Sequence, residues 1–309
     1  MLGKEAFRTD DFGDEVYLGQ PQKNYLAVVV EYNPLDGSQT FMRDYPVDPE
    51  DPSKGCSEQS FTFGSLFLGD DPPPTPGVDN FSFHKENISL DDYRSALFGI
   101  GPDAGYGTVR SDLGGVDLAG YSLNNYLIEM NPAESPYTTS GDILPESIVL
   151  PNAQEYYGAA VYSEDEEGNC VSPVFSDARY GDHIEDVIAG ITTQYDGDPS
   201  IDWSQFDADG DQIVDLLAVI HAGYGFQEGG GEDRLNTRSS GFFEPQQIVG
   251  FGTPDDETDD YFVQGFNINP EQLDVGAIQE EFEHQFGLPD FYSTDVDNSN
   301  AWWTSHSSG

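Results

Sequence analysis

Near its C-terminal end the 309-residue chain reads Glu280-Glu281-Phe282-Glu283-His284-Gln285-Phe286-Gly287-Leu288-Pro289-Asp290. On a helix, positions i, i+3 and i+4 share a face, so Glu280, Glu283 and His284 stand together. Glu281 lies beside them, about a hundred degrees around the axis. Gly287 ends the helix and lets the chain turn back, which brings Asp290 toward the same face. Two donors one turn apart, with a third from beyond a glycine turn, is how a helix assembles a zinc site. A solvated acidic helix face in an acid-rich chain produces the same pattern, so the spacing alone leaves both readings open.

A second cluster is Asp207-Ala208-Asp209-Gly210-Asp211-Gln212-Ile213-Val214-Asp215. Asp207, Asp209, Asp211 and Asp215 occupy positions 1, 3, 5 and 9 of an EF-hand-like loop, with the Ile213 carbonyl at position 7, which predicts a calcium site. Gln212 stands at position 6 in place of glycine, and Ala218 at position 12 in place of a bidentate glutamate. These departures predict weaker binding than a full EF-hand, and an acidic turn without an ion remains the alternative. His221 ends an apolar run and reads as a core residue. His84 and His183 sit among polar neighbours and read as surface histidines. Ser305, Ser307 and Ser308 lack a nucleophile-elbow context, and Gly225 to Gly231 lacks the lysine of a phosphate loop.

Several elements must position these residues. Leu26 to Tyr32 and Val214 to His221 are continuous β-rich apolar runs and predict buried strands. Ser89 before Leu90-Asp91-Asp92 predicts a capped helix through Phe98. Gly107 to Arg110 and Tyr126 to Met130 read as short strands. Ile184, Val187, Ile188 and Ile191 mark one face of a helix over Asp177 to Tyr195. The last helix is expected over Glu271 to Phe286. Strands and helices alternate irregularly and no linker divides them, which predicts one mixed α/β domain over 23–309 after a polar lead-in at 1–22.

There are 58 Asp plus Glu against 11 Lys plus Arg, a formal net charge of −47. That sign excludes phosphate backbones as partners, because neutralising them takes Lys and Arg. The acids are spread along the chain rather than gathered in a tail. Dense dispersed carboxylates predict a protein adapted to high salt, where screening shortens to ~3 Å at 1 M; bound calcium offsetting the charge is the alternative. No apolar run is long enough to span a bilayer. Met1 to Gln20 shows no signal-peptide core, while the ending on Ser307-Ser308-Gly309 reads as a truncation. Cys56 and Cys170 have no metal-ligand spacing, and their pairing is not readable from sequence. Neither is the oligomeric state.

The segment from Gln279 to Tyr292 resembles the active site of the immune inhibitor A metallopeptidases, with its H-E-x-G-H-x-x-G-L-P-D-x-Y pattern. His284 to Tyr292 is similar to the second half, and Glu281 to its glutamate. Phe266 to Glu271, the acidic loop followed by Ile220-His221-Ala222-Gly223, and Ser89 to Gly99 resemble further family segments, so the likeness runs from about residue 26 onward. It implies a secreted, zincin-like α/β (α+β) peptidase with a mixed twisted sheet and an active-site helix. It implies zinc as cofactor and protein or peptide as substrate. Glu281 would be the general base acting on metal-bound water, with His284 and Asp290 as second and third ligands. Glu280 stands where the family has its first histidine ligand, Glu283 where it has glycine, and His306 where the methionine of the following turn falls. Glu280 can still ligate through oxygen, though a Glu/His/Asp set carries one more negative charge and favours harder ions. His306 is a candidate auxiliary imidazole. A non-catalytic relative that serves as a binding or surface module is the alternative.

Overall fold

The computed structural model describes residues 7–9, 15–17, 22–33, 38–46, 56–70, 83–130, 138–159, 163–167, 170–171, 179–226, 233–250, 259–272 and 275–284. Its frame is a seven-stranded sheet built from β1 (Gln22–Tyr32), β2 (Thr138–Ile143), β3 (Ile148–Leu150), β4 (Ile213–Val214), β5 (Leu216–His221), β6 (Arg238–Val249) and β7 (Tyr261–Pro270). The long strand β1 is central. It runs parallel to β5 on one side, with Leu216 opposite Tyr25 and His221 opposite Val30, and to β2 and β3 on the other. Parallel β7 follows β4 and β5, and β6 closes that edge antiparallel to β7. The β6 register shifts between Gly241 and Gln246, a stretch that contains Pro245. Proline offers no N–H to a ladder and so belongs at an edge or a bulge.

The two apolar runs became β1 and β4–β5 because each is covered on both faces, as parallel sheets require. Leu26, Val28, Val30, Leu217 and Val219 belong to one core, and Tyr25, Ala27, Val29, Leu216, Ala218 and Ile220 to the other. The first face is covered by α4 (Tyr180–Tyr195), which buries Ile184, Val187, Ile188 and Ile191 as expected; the short helix α3 (Gln154–Gly158) adds Tyr157 to the same core. The second face takes α1 (Leu90–Phe98), α2 (Leu123–Met130) and α5 (Val275–His284). Ser89 caps α1 in a complete capping box with Asp92, which satisfies backbone donors that the first turn leaves open.

Two expectations need correction. Tyr126 to Met130 is the second half of helix α2, not a strand. Leu123 and Leu127, one helical turn apart, both face the core, and Ser122 Oγ accepts from the Asn125 N–H. The last helix starts at Val275 rather than Glu271, which is held at the end of β7 by contacts outside the helix. The short strand expected in Gly107 to Arg110 is present as Thr108–Val109. No helix among the described residues is long and apolar enough to cross a membrane.

Candidate functional site

Helix α5 docks through positions one turn apart. Ile278, Glu281 and Phe282 are its buried residues. The Phe282 ring stacks on Tyr25 of β1, with centroids 5.2 Å apart and planes at 26°. This anchor fixes the rotation of the helix, so the 7% exposure of Glu281 follows from its place beside Phe282. Asn267 of β7, with its amide turned to donate, reaches the Glu281 carbonyl at 3.3 Å and Ser239 Oγ of β6 at 3.1 Å. The helix is thereby tied to β7 and to the edge strand β6.

Glu280, Glu283 and His284 are half-buried and share one face by helix geometry. Glu283 has identified partners. Its Oε1 accepts from Tyr126 Oη of α2 at 3.2 Å and from Gln279 Nε2 at 3.1 Å. This carboxylate is thus held from α2. Burial, with Glu283 close by, pushes the Tyr126 phenol above its ordinary value, so the hydroxyl stays a donor at neutral pH. Glu280 and His284 place one carboxylate and one imidazole a turn apart, a donor pair that suits a divalent metal such as zinc. Asp290 and His306 lie outside the described residues.

Behind α5, the Glu271 carboxylate accepts from the backbone N–H of Gly69 (3.1 Å) and Gly223 (3.0 Å) and from Gln272 Nε2 (3.2 Å). Its own carbonyl accepts from Tyr93 Oη at 2.9 Å. Burial raises this acid's affinity for its proton, and the three donors oppose that. Glu271 therefore ties the end of β7 to Gly69, to Gly223 and to α1.

In the acidic loop, ligand oxygens of Asp207, Asp209 and Asp211 lie within 4.8 Å of one another, the one such group of three among the described residues. Asp207 is also the loop's internal cap, accepting from the N–H of Gly210 (2.7 Å), Asp211 (3.1 Å) and Gln212 (2.8 Å). Gln212 adopts φ +66°, the left-handed turn that an EF-hand assigns to glycine at this position. Asp215 is not part of the group. It interrupts β4–β5 and accepts from Asn24 N (2.8 Å) and Ala208 N (3.1 Å), with Lys23 as its nearby countercharge. Ile213 opens β4, paired with Phe262.

His84 and His183 correct the surface reading, while His221 is in the core as expected. His84 is 4% exposed, and His183 and His221 are fully buried. His183 follows the exposed Gly181 and Asp182 along the chain, but it falls on the same face of α4 as Ile184 and Val187. That one-turn spacing was the available signal.

A largely parallel twisted sheet, flanked by helices and carrying a carboxylate-and-imidazole helix after its last strand, defines a metallopeptidase-like domain of the α/β zincin type. Residues 85–309 match the catalytic domain of the immune inhibitor A peptidases of family M6, and the chain belongs to that family. No curated protein matches it. The matched region begins after β1, so the strand at the centre of the sheet precedes it.

Proposed function

We propose that residues 23–309 form a secreted endopeptidase domain that hydrolyses peptide bonds in protein substrates. The supporting observation is the docking of α5, which buries Glu281 and leaves Glu280 and His284 together on an accessible face. Glu280, His284 and Asp290 would hold zinc. The metal would supply Lewis acidity and lower the pKa of bound water toward ~7. Glu281 accepts the proton of the attacking water and later passes it to the leaving amine. Its seat against the sheet, fixed by Phe282, restricts the directions from which water reaches it. The Asp207–Asp215 loop binds calcium through Asp207, Asp209, Asp211 and the Ile213 carbonyl, with Asp215 joining only if it leaves Asn24. His306 serves as an auxiliary imidazole. The net charge of −47 suits the chain to high salt.

A second reading, a non-catalytic binding module, is favoured by one observation. Glu283, where the family keeps glycine, is bonded to α2, so this chain invests in helix docking at a motif position. Elemental analysis and casein cleavage with and without chelator, in high salt, separate the two. Stoichiometric metal with chelator-sensitive cleavage supports the peptidase. Absence of both, with cleavage gained in Glu280→His, supports the second reading.

A further inference from the structure

On the sheet face opposite α5, at the carboxyl ends of β1 and β5, lies a polar centre that the peptidase reading does not use. His221 ends β5 and His183 faces it from α4, with ring centroids 6.5 Å apart and planes at 87°. Both side chains are fully buried. His183 Nε2 meets Tyr32 Oη at 3.1 Å, and His221 Nδ1 lies 3.0 Å from both Gln154 Nε2 and the Ala222 carbonyl. The remaining nitrogens, His183 Nδ1 and His221 Nε2, have no hydrogen-bond partner among the described residues. Buried polar groups are almost always satisfied. A proton added to either ring would place an unpaired charge in this buried site.

Among the described residues, the groups on α3 and α4 that surround the pair are committed to other bonds. From α3, Gln154 accepts from Arg234, and Arg234 pairs with Glu155 at 3.1 Å. The Arg234 cation thus sits close enough to His221 to oppose its protonation. Tyr157 of α3 spends its hydroxyl on Asp186 of α4 at 2.6 Å, and Asn152 also donates to that carboxylate. Two of the surrounding acids, Glu155 and Asp186, are thus engaged elsewhere. Among the described residues, Tyr32 from β1, Tyr224 and Asp233 from the neighbouring loop segments, Arg179 and Asp182 at the start of α4, and Glu271, which accepts from Gly223 N, are the further titratable or charged groups on the elements packed around the pair.

We propose that His183 and His221 are an acid-labile latch that fastens α3 and α4 to the carboxyl ends of the central strands, and that protonating either ring releases this layer. Burial holds both imidazoles below their ordinary value near 6.5, His221 at about 4; the neighbouring His221 ring adds to the effect for His183, and Arg234 adds to it for His221. The released state binds protons that the closed state refuses. The closed state is therefore fully favoured above pH 6.5 and loses ground as the pH falls toward 4. For each ring that titrates, the opening equilibrium grows about tenfold per pH unit across that window.

Global melting is a poor readout, because acid also relieves repulsion among 58 carboxyl groups. Local amide exchange, measured in high salt on the whole chain, isolates the event. Amides of α3 and α4 should lose at least tenfold protection between pH 6.5 and 5 while β1 and β5 keep theirs. His183→Gln and His221→Gln should each flatten that dependence; His84→Gln and Asp186→Asn should leave it in place. Imidazole resonances of the unmodified protein give a test independent of variant folding. Titration of both rings near 6.5 in the folded chain overturns the proposal. So does unchanged α4 protection down to pH 4.5, or an acid release that disappears only in Asp186→Asn.

Discussion

The tie between α2 and α5 makes a quantitative claim. Glu283 Oε1 takes bonds from Tyr126 Oη (3.2 Å) and Gln279 Nε2 (3.1 Å). A hydrogen bond to a charged acceptor contributes about 1.5–3 kcal/mol when well buried. Both partners here are half-buried, so solvent competes and about 1 kcal/mol is the expected share of the Tyr126 bond. Tyr126→Phe removes the donor with little change in volume. Glu283→Ala removes the acceptor and places a good helix former in α5, which offsets part of its loss. Each single change should cost about 1 kcal/mol by urea denaturation, and the double variant should cost about 1 kcal/mol less than their sum. The phenol, raised above its ordinary value in the folded chain, adds an alkaline signature. A group whose folded pKa is raised contributes stability that is complete below the unfolded value and lost as pH rises through the folded one. The wild-type chain should therefore lose its advantage over Tyr126→Phe above about pH 10. Additivity within ~0.3 kcal/mol at pH 7 would refute the bond as a docking contact and return Glu283 to the solvated acidic face.

Phe282→Ala removes a fully buried ring stacked on Tyr25 and should cost about 3–5 kcal/mol in denaturant titrations; less than about 1 kcal/mol would mean that α5 is not anchored this way. Gly158→Ala should destabilise strongly, since a β-carbon there would meet Arg234 C, Asp233 O and Leu235 N at 2.5–2.7 Å, all backbone; thermal melting reads it, and wild-type behaviour contradicts the packing of α3. His221, with a folded value of about 4 against 6.5, should withdraw roughly 3 kcal/mol from the α3–α4 layer between those pH values, measured as exchange protection lost on acidification and absent in His221→Gln. Calcium titration should raise the melting temperature, and Asp209→Asn should weaken the shift; a flat titration counts against the loop as a site.

The elements legible in the sequence are those whose partners do not need to be known. Leu26 to Tyr32 and Val214 to His221 announce burial on both faces by being apolar throughout, and Ser89 with Asp92 announces a helix start by local bonding alone. The α2 helix was not legible because its window is short and rich in residues that also suit strands, so only the Leu123–Leu127 spacing pointed to a helix. The histidines failed for a different reason. A residue's chain neighbours report on its environment only if they share its face, and His183 turns away from Gly181 and Asp182 toward Ile184 and Val187. The same limit applies to the candidate site. Glu283 reads in sequence as bulk and charge intruding where the family keeps glycine. What it bonds to is Tyr126, 157 residues earlier, and no periodicity within α5 carries that information. A substitution beside a motif can thus serve the docking of the helix that bears the motif, which is why Glu280, half-buried on the face it shares with His284, is the more direct test of whether this helix holds a metal.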